Sequence, residues 1–183
     1  MRLAFIGIGM LLLMIGGASG QNVSDPDLVK QLQRLFPTAA TFSPKGGSPA
    51  VYKAFAAAPA GKTGELLGFA YWTTEIEPLE RGFDGPIKML VGLNMSGALT
   101  GIIVTENREP YGYFSVDLPE FAAQFKNKNI RDAFKVGADV DAISRATISV
   151  TSASRAIRNS SRKVARAYLT PPPGAAAPAS AAQ

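Results

Sequence analysis

The sequence of 183 residues contains no cysteine and no histidine. Without cysteine the chain has no disulfide framework, no thiolate zinc site, no iron–sulfur cluster and no cysteine nucleophile. Without histidine it has no Ser-His-Asp catalysis and no histidine-ligated haem or metal. These two absences exclude many of the familiar catalytic and metal-binding classes of protein.

Charged residues make up 18% of the chain, whereas 46% of the residues are hydrophobic. This balance and the length are typical of one globular domain. The charge is unevenly distributed, because the segment from Lys126 to Gln183 holds ten basic and three acidic residues. A basic surface of this kind can attract phosphate, an acidic protein or anionic lipid.

The N-terminus has the layout of an export signal. Arg2 precedes an uncharged apolar run from Leu3 to Ile15, and small residues follow from Gly16 to Gly20. The apolar run is shorter than the roughly 20 residues of a membrane span. We therefore expect residues 1–20 to be a cleaved signal peptide, with an uncleaved membrane anchor as the alternative, and we expect the mature protein on the far side of the membrane.

Runs of apolar and β-branched residues, separated by Gly and Pro clusters, predict a largely antiparallel sheet. The predicted strands are 51–55, 65–74, 87–94 and 98–105, with a hairpin turn from Asn94 to Gly97 between the last two. Residues 38–49 are rich in Pro, Gly and Ser and are predicted to be a loop. The expected fold class is α+β, with a mainly antiparallel sheet packed against a few helices in a single domain.

Helices are predicted on both sides of these strands in the sequence. A capping residue followed by Pro26 predicts a first helix that ends at Pro37. Short helical or irregular pieces are expected at 120–125 and 130–134, and a basic amphipathic helix from about Ser152 to Tyr168. The Pro- and Ala-rich residues 170–183 cannot bury a core and are predicted to be disordered, which leaves 21–169 as the domain.

Several polar groups match a functional pattern only in part. Gly61-Lys62-Thr63 resembles the end of a phosphate-binding loop, but Ala56 stands where that loop needs glycine, which favours an ordinary turn. The carboxylates Asp84, Glu106 and Glu109 match no ligand spacing and are predicted to be solvated surface charges.

Aromatic side chains are the groups that would contact a planar ligand, because their faces stack on a ring system and exclude water. The candidates are Tyr71, Trp72 and the segment from Tyr111 to Phe114. Packing in the core is the alternative for each of them.

The segment from Asp141 to Ser149 has an acid, hydroxyls at Ser144, Thr147 and Ser149, and the small Ala146. By composition alone it is a polar connection whose hydroxyls cap the following helix. The same residues resemble the flavinylation motif of the periplasmic FMN-binding domain family. That motif reads Asp, two variable residues, Ser or Thr, usually Gly, then Ala-Thr, one variable residue, and Ser or Thr. In the family, FMN is esterified through its phosphate to the motif threonine, which is Thr147 here.

The other motif residues are implied neighbours of the cofactor. The resemblance places Asp141, Ser144, Ala146 and Ser149 beside FMN. Arg145 stands where the family usually has glycine, and its side chain would either hinder the flavin transferase or pair with the FMN phosphate. Arg155, on the following helix, is a second candidate for a charge-assisted bond to the phosphate.

The resemblance extends over residues 25–168. It is closest to the branch that includes the N-terminal domain of the nitrous oxide reduction regulator, although Asn107-Arg108 replaces a histidine typical of that branch. The resemblance and the turns around these residues place the flavin ring near Gly85, Pro86, Ile87 and Tyr111. The matching segments, in the order of the branch, are 35–37, 64–70, 82–87, 90–94 and 109–110.

The resemblance implies an exported electron-transfer protein that carries FMN covalently on Thr147. A redox carrier is expected rather than an enzyme with its own small-molecule substrate, and no metal or catalytic residue is assigned. The implied partners are a flavin transferase and a redox partner at the membrane or in the periplasm, with no nucleic acid. The alternative is a non-redox interaction module of the same fold without flavin, which docks an acidic partner through its basic C-terminal face.

Overall fold

A five-stranded antiparallel sheet forms the centre of residues 23–169, the part of the chain that the computed structural model describes. Each strand pairs with the next one along the sequence. The strands are β1 (Thr41–Phe42), β2 (Tyr52–Phe55), β3 (Leu66–Trp72), β4 (Lys88–Asn94) and β5 (Leu99–Glu106). The predicted α+β class with a mainly antiparallel sheet is confirmed, whereas the predicted signal peptide and C-terminal tail lie outside the described residues.

Four helices accompany the sheet within residues 23–169. They are α1 (Pro26–Leu35), α2 (Thr73–Ile76), α3 (Pro119–Ala123) and α4 (Thr147–Tyr168), with a 3-10 turn at Gly112–Phe114. Among the helices of residues 23–169, none is long and apolar enough to cross a membrane.

The sheet is covered on both faces, which explains why its central strands are apolar almost throughout. Met89, Val91 and Leu93 of β4 share a buried cluster with α4, whereas Leu90, from the same strand, packs in a second cluster with Leu32 of α1. Successive side chains of a strand point to opposite faces. The domain therefore has three layers, with α1 on one face of the sheet and α4 on the other.

Local sequence signals correctly located α1 and the hairpin between β4 and β5. Asp25 caps α1, because its side chain accepts hydrogen bonds from the backbone N–H groups of Asp27 and Leu28. In the hairpin, the Asn94 side chain accepts from the backbone N–H groups of Ser96 and Ala98 at 3.0 and 2.9 Å. Both predictions are confirmed because the groups that satisfy the backbone lie within four residues in the sequence.

The last helix begins earlier than predicted. The predicted start at Ser152 is wrong, because α4 begins at Thr147 and the Val150 N–H already donates to the Ala146 carbonyl at 2.9 Å. The segment is rich in β-branched and hydroxyl residues, which have modest helix propensity. Val150 and Ala153 are fully buried in the α4 cluster, and this packing overrides the local preference.

The predicted loop 38–49 contains a short strand. Thr41 and Phe42 of β1 pair antiparallel with Phe55 and Ala54 of β2. Phe42 is buried in the α1 cluster. A strand of two residues is too short for any alternation to appear in the sequence, so only its partner strand defines it.

Candidate functional site

A cavity of about 260 Å³ lies where three segments meet at the beginning of α4. Because Lys88 at the start of β4 pairs with Glu106 at the end of β5, the loops that flank these two residues lie side by side. The first turn of α4 closes the third side. The lining residues are Phe83 from the loop before β4, Pro110 and Tyr111 from the loop after β5, and the five residues from Arg145 to Ser149.

The N-terminus of α4 has no side-chain cap. Its N-cap residue is Ala146, so the predicted capping by the hydroxyls of this segment is wrong. In the described part of the chain, no group accepts a hydrogen bond from the backbone N–H groups of Thr147, Ile148 and Ser149. The end of a 22-residue helix with free N–H groups carries a partial positive charge and favours an anion.

The motif residues differ in their exposure. Thr147 is the first residue of α4 and is exposed on the rim of the cavity, whereas Ala146 before it is buried. Arg145 is exposed and has a φ of +67°, in a tight turn where the Ala146 N–H donates to the Ile143 carbonyl at 3.1 Å. This left-handed conformation is the one that glycine adopts most easily.

The other predicted cofactor residues are placed differently. The structure brings Tyr111, Arg145, Ala146, Thr147 and Ser149 together at the cavity. The remaining predicted residues do not line it. Asp141 and Ser144 are exposed in the loop before α4, Gly85 is buried in the loop before β4, Pro86 is exposed, and Ile87 is buried in the α4 cluster.

The carboxylate of Glu109 is the centre of the hydrogen bonding beneath the cavity. Its side chain is buried and accepts from the backbone N–H of Phe83 at 2.9 Å and from that of Asp84 at 3.0 Å. The Ser149 hydroxyl donates to the same carboxylate. The prediction that Glu109 is a solvated surface charge is therefore wrong. Its partners lie 25 to 40 residues away in the sequence, so no local pattern could have revealed them.

Arg155 does not reach the cavity. Its guanidinium donates two hydrogen bonds of 2.7 Å to Glu80, and the Ser152 hydroxyl donates a third at 2.9 Å. The bonds from Arg155 are the main cause of the lowered pKa of Glu80, and the same pairing raises the pKa of Arg155. Arg155 therefore ties the loop after α2 to α4, and its predicted bond to a phosphate is replaced by this ion pair.

Exposed apolar side chains surround the mouth of the cavity. Phe83 is 67% exposed, Ile148 59% and Tyr111 45%. The other aromatic candidates lie elsewhere, since Tyr71 is fully buried beneath α4 and Trp72 lies on the α1 face of the sheet. Phe83 and Ile148 were not singled out from the sequence, although Phe83 lies inside one of the segments that resemble the family.

Together these features define a cofactor-binding domain, with apolar walls for a ring system and a positively charged helix end for an anionic group. The family model described as the FMN-binding domain matches residues 82–162, which include both loops, β4, β5 and most of α4. This match supports an FMN-binding domain in the segment, with FMN as its cofactor. No curated protein matches the chain.

The lining residues fit FMN. The free N–H groups of α4 and the guanidinium of Arg145 suit a phosphate, and Phe83, Tyr111 and Ile148 suit the flat face of a flavin. The match favours the flavin-binding interpretation over the alternative of an interaction module without flavin.

Proposed function

We propose that the protein is an exported electron-transfer protein that carries FMN as a phosphoester on Thr147. The observation that supports this most directly is the position of Thr147. Its exposed side chain lies on the rim of the cavity, at the first residue of an uncapped helix. A phosphate attached there would lie next to the helix end that stabilises negative charge.

The chain itself supplies the groups that hold the phosphate. The backbone N–H groups of Thr147, Ile148 and Ser149 are free to donate, and Arg145 lines the same cavity with an exposed guanidinium. An anion at a helix N-terminus is typically stabilised by about 0.3–1 kcal/mol near the surface. These contacts orient the attached group, whereas the ester bond prevents its loss.

Attachment is a phosphoryl-transfer reaction that needs an activated donor. The Oγ1 atom of Thr147 forms a bond to the phosphorus of FMN, and the donor is a flavin nucleotide with a phosphoric anhydride bond. That anhydride bond breaks, the other nucleotide leaves as its monophosphate, and the hydroxyl proton passes to a base of the flavin transferase. The exposure of Thr147 gives such an enzyme access to the hydroxyl.

The proposed role is that of a carrier rather than an enzyme with its own substrate. Bound FMN supplies reversible electron uptake, which no side chain of this cysteine-free protein provides. The lining residues include no carboxylate and no lysine. Phe83, Tyr111 and Ile148 line the cavity and would shield from water the side of the ring that lay against them.

Export and partners complete the proposal. The apolar run of residues 3–15 and the small residues after it support export to the periplasm, with a retained membrane anchor as the alternative. Outside the cytoplasm a freely exchanging flavin would be diluted away, so covalent attachment suits this location. The partners are a flavin transferase and donor and acceptor redox proteins in the periplasm or at the membrane.

Intact mass after denaturation tests the attachment site. Co-expression with a periplasmic flavin transferase should increase the mass by one FMN minus one water, located on the peptide that contains Thr147, and the denatured band should fluoresce. Thr147→Ala should abolish the increase. Thr151→Ala is the matched control, because Thr151 is also an exposed threonine of α4, one turn further on, and it should load normally.

Two results would count against the proposal. Covalent flavin that persists in Thr147→Ala would move the attachment site to another residue. A wild-type protein with no added mass and no fluorescence after denaturation would contradict covalent attachment. The domain would then bind FMN only non-covalently.

A further inference from the structure

Glu109 is a buried carboxylate next to the proposed site that is not itself a wall of the cavity. It lies one residue before Pro110 and accepts hydrogen bonds from two of the three segments that line the cavity. The backbone N–H groups of Phe83 and Asp84 belong to the loop before β4, and the Ser149 hydroxyl belongs to the first turn of α4.

We infer that Glu109 is a positioning residue, which fixes the loop carrying Phe83 against the first turn of α4 and so gives the flavin beside Thr147 a rigid aromatic wall. This inference rests on the proposed function. The side chain of Phe83 is two-thirds exposed and cannot hold itself in place by packing. The backbone that carries it is held by the hydrogen bonds from the Phe83 and Asp84 N–H groups to Glu109.

The loop lies directly against the carboxylate. A Cβ atom at Gly82 would lie 2.4 Å from Oε1 of Glu109, so a side chain there would displace the carboxylate. The loop is also closed on itself, because the Gly82 N–H donates to the Gly85 carbonyl at 2.7 Å. Glycine at position 82 thus permits the close approach that the two hydrogen bonds require.

A carboxylate suits this position because all three of its partners are donors. Each Glu109 oxygen accepts from a backbone N–H group, and one of them also accepts from the Ser149 hydroxyl. A glutamine would present an N–H₂ group to at least one of these donors, so at least one bond would be lost. Hydrogen bonds to a charged acceptor are also stronger than those to a neutral one. Glu109→Gln should therefore loosen the loop while it keeps the size and shape of the side chain.

The first measurement uses the protein without flavin. Amide hydrogen exchange at Phe83 and Asp84 should become about tenfold faster or more in Glu109→Gln, while the amides of β4 keep their protection. Ser149→Ala removes the hydroxyl contact alone and should give a smaller increase. Glu106→Gln is the matched control, because Glu106 is an exposed carboxylate three residues earlier, and its loop exchange should equal that of the wild type.

The second measurement uses the loaded protein. Glu109→Gln should still carry one FMN on Thr147, but its flavin fluorescence should rise about twofold and its anisotropy should fall, because a mobile ring makes fewer quenching contacts with aromatic side chains. A purely structural role would lower the unfolding midpoint and leave these optical properties unchanged. Glu106→Gln should match the wild type in both properties.

The outcomes separate this inference from the proposed function. Unchanged exchange at Phe83 and Asp84 in Glu109→Gln would overturn the positioning role, whether or not Thr147 carries flavin. Faster exchange in Glu109→Gln, combined with a wild-type protein that never takes up covalent flavin, would support Glu109 as a support of the loop. The same result would contradict attachment on Thr147. Faster exchange with unchanged flavin fluorescence would overturn the claim that this loop forms a wall for the flavin.

Discussion

Arg145 shows how one backbone angle links the sequence motif to the fold. Its φ of +67° places it in the left-handed region, which costs a non-glycine residue about 1–2 kcal/mol. The family motif usually has glycine at this position, and the turn geometry gives the physical reason. Arginine stands here in place of that glycine, and its guanidinium lies at the cavity that suits a phosphate. The strained backbone angle therefore accompanies a gain in positive charge at the site.

Arg145→Gly should therefore stabilise the fold. Relief of the strained angle is partly offset by the greater freedom of glycine in the unfolded chain, and we expect the free energy of unfolding to rise by about 0.5–1 kcal/mol. Urea denaturation of the protein without flavin measures this change. Arg166→Gly, at an exposed position of α4, should have the opposite sign because glycine weakens a helix. A loss of stability in Arg145→Gly would contradict the strain argument.

At the scale of elements, α4 is tied to its surroundings by polar contacts as well as by its buried face. The link between Glu80, Ser152 and Arg155 attaches the loop after α2 to the second and third turns of the helix. Glu109 attaches the loop before β4 to the first turn. Because Glu80 has a lowered pKa in the folded state, its contribution to stability is present above the ordinary pKa of 4.5 and is lost as the pH falls through the lower folded value.

Glu80→Gln tests this pH dependence. The variant should be less stable than the wild type at pH 7, and the difference should shrink as the pH is lowered below about 4.5, because the wild-type carboxylate is then protonated as well. Urea midpoints across this range measure the effect. Glu65→Gln serves as the control, since Glu65 is exposed and has no ion pair among the described residues. A difference that stays constant down to pH 3 would contradict the assignment.

At the scale of the whole molecule, the sheet separates the cavity from the buried cluster that contains α1. Ile157 of α4 and Leu32 of α1 are both fully buried, on opposite faces of the sheet. The cavity contains residues of α4 and of loops next to the α4 face, whereas α1 contributes none of its lining. Stability therefore depends on both layers, but the geometry of the site depends mainly on one.

Ile157→Ala and Leu32→Ala should both destabilise the protein by about 2–5 kcal/mol, because each leaves a void in a packed cluster. Only Ile157→Ala should also speed amide exchange at Phe83 and Asp84 beyond what global unfolding explains. Denaturation measures the loss of global stability. Hydrogen exchange, compared under conditions in which the two variants are equally stable, then measures the local change at Phe83 and Asp84. Equal exchange in the two variants would show that the layers are coupled through the sheet.

The sequence by itself determined the elements whose signals are local. The cap of α1, the hairpin at Asn94 to Gly97 and the apolar central strands were predicted correctly, because each depends on residues within a few positions of one another. The motif around Thr147 also identified the flavin family, since its residues are consecutive. Tertiary structure decided the rest. The start of α4, the strand β1 and the burial of Glu109 depend on partners that are distant in the sequence, and packing and charge-assisted hydrogen bonds across those distances outweigh local propensity.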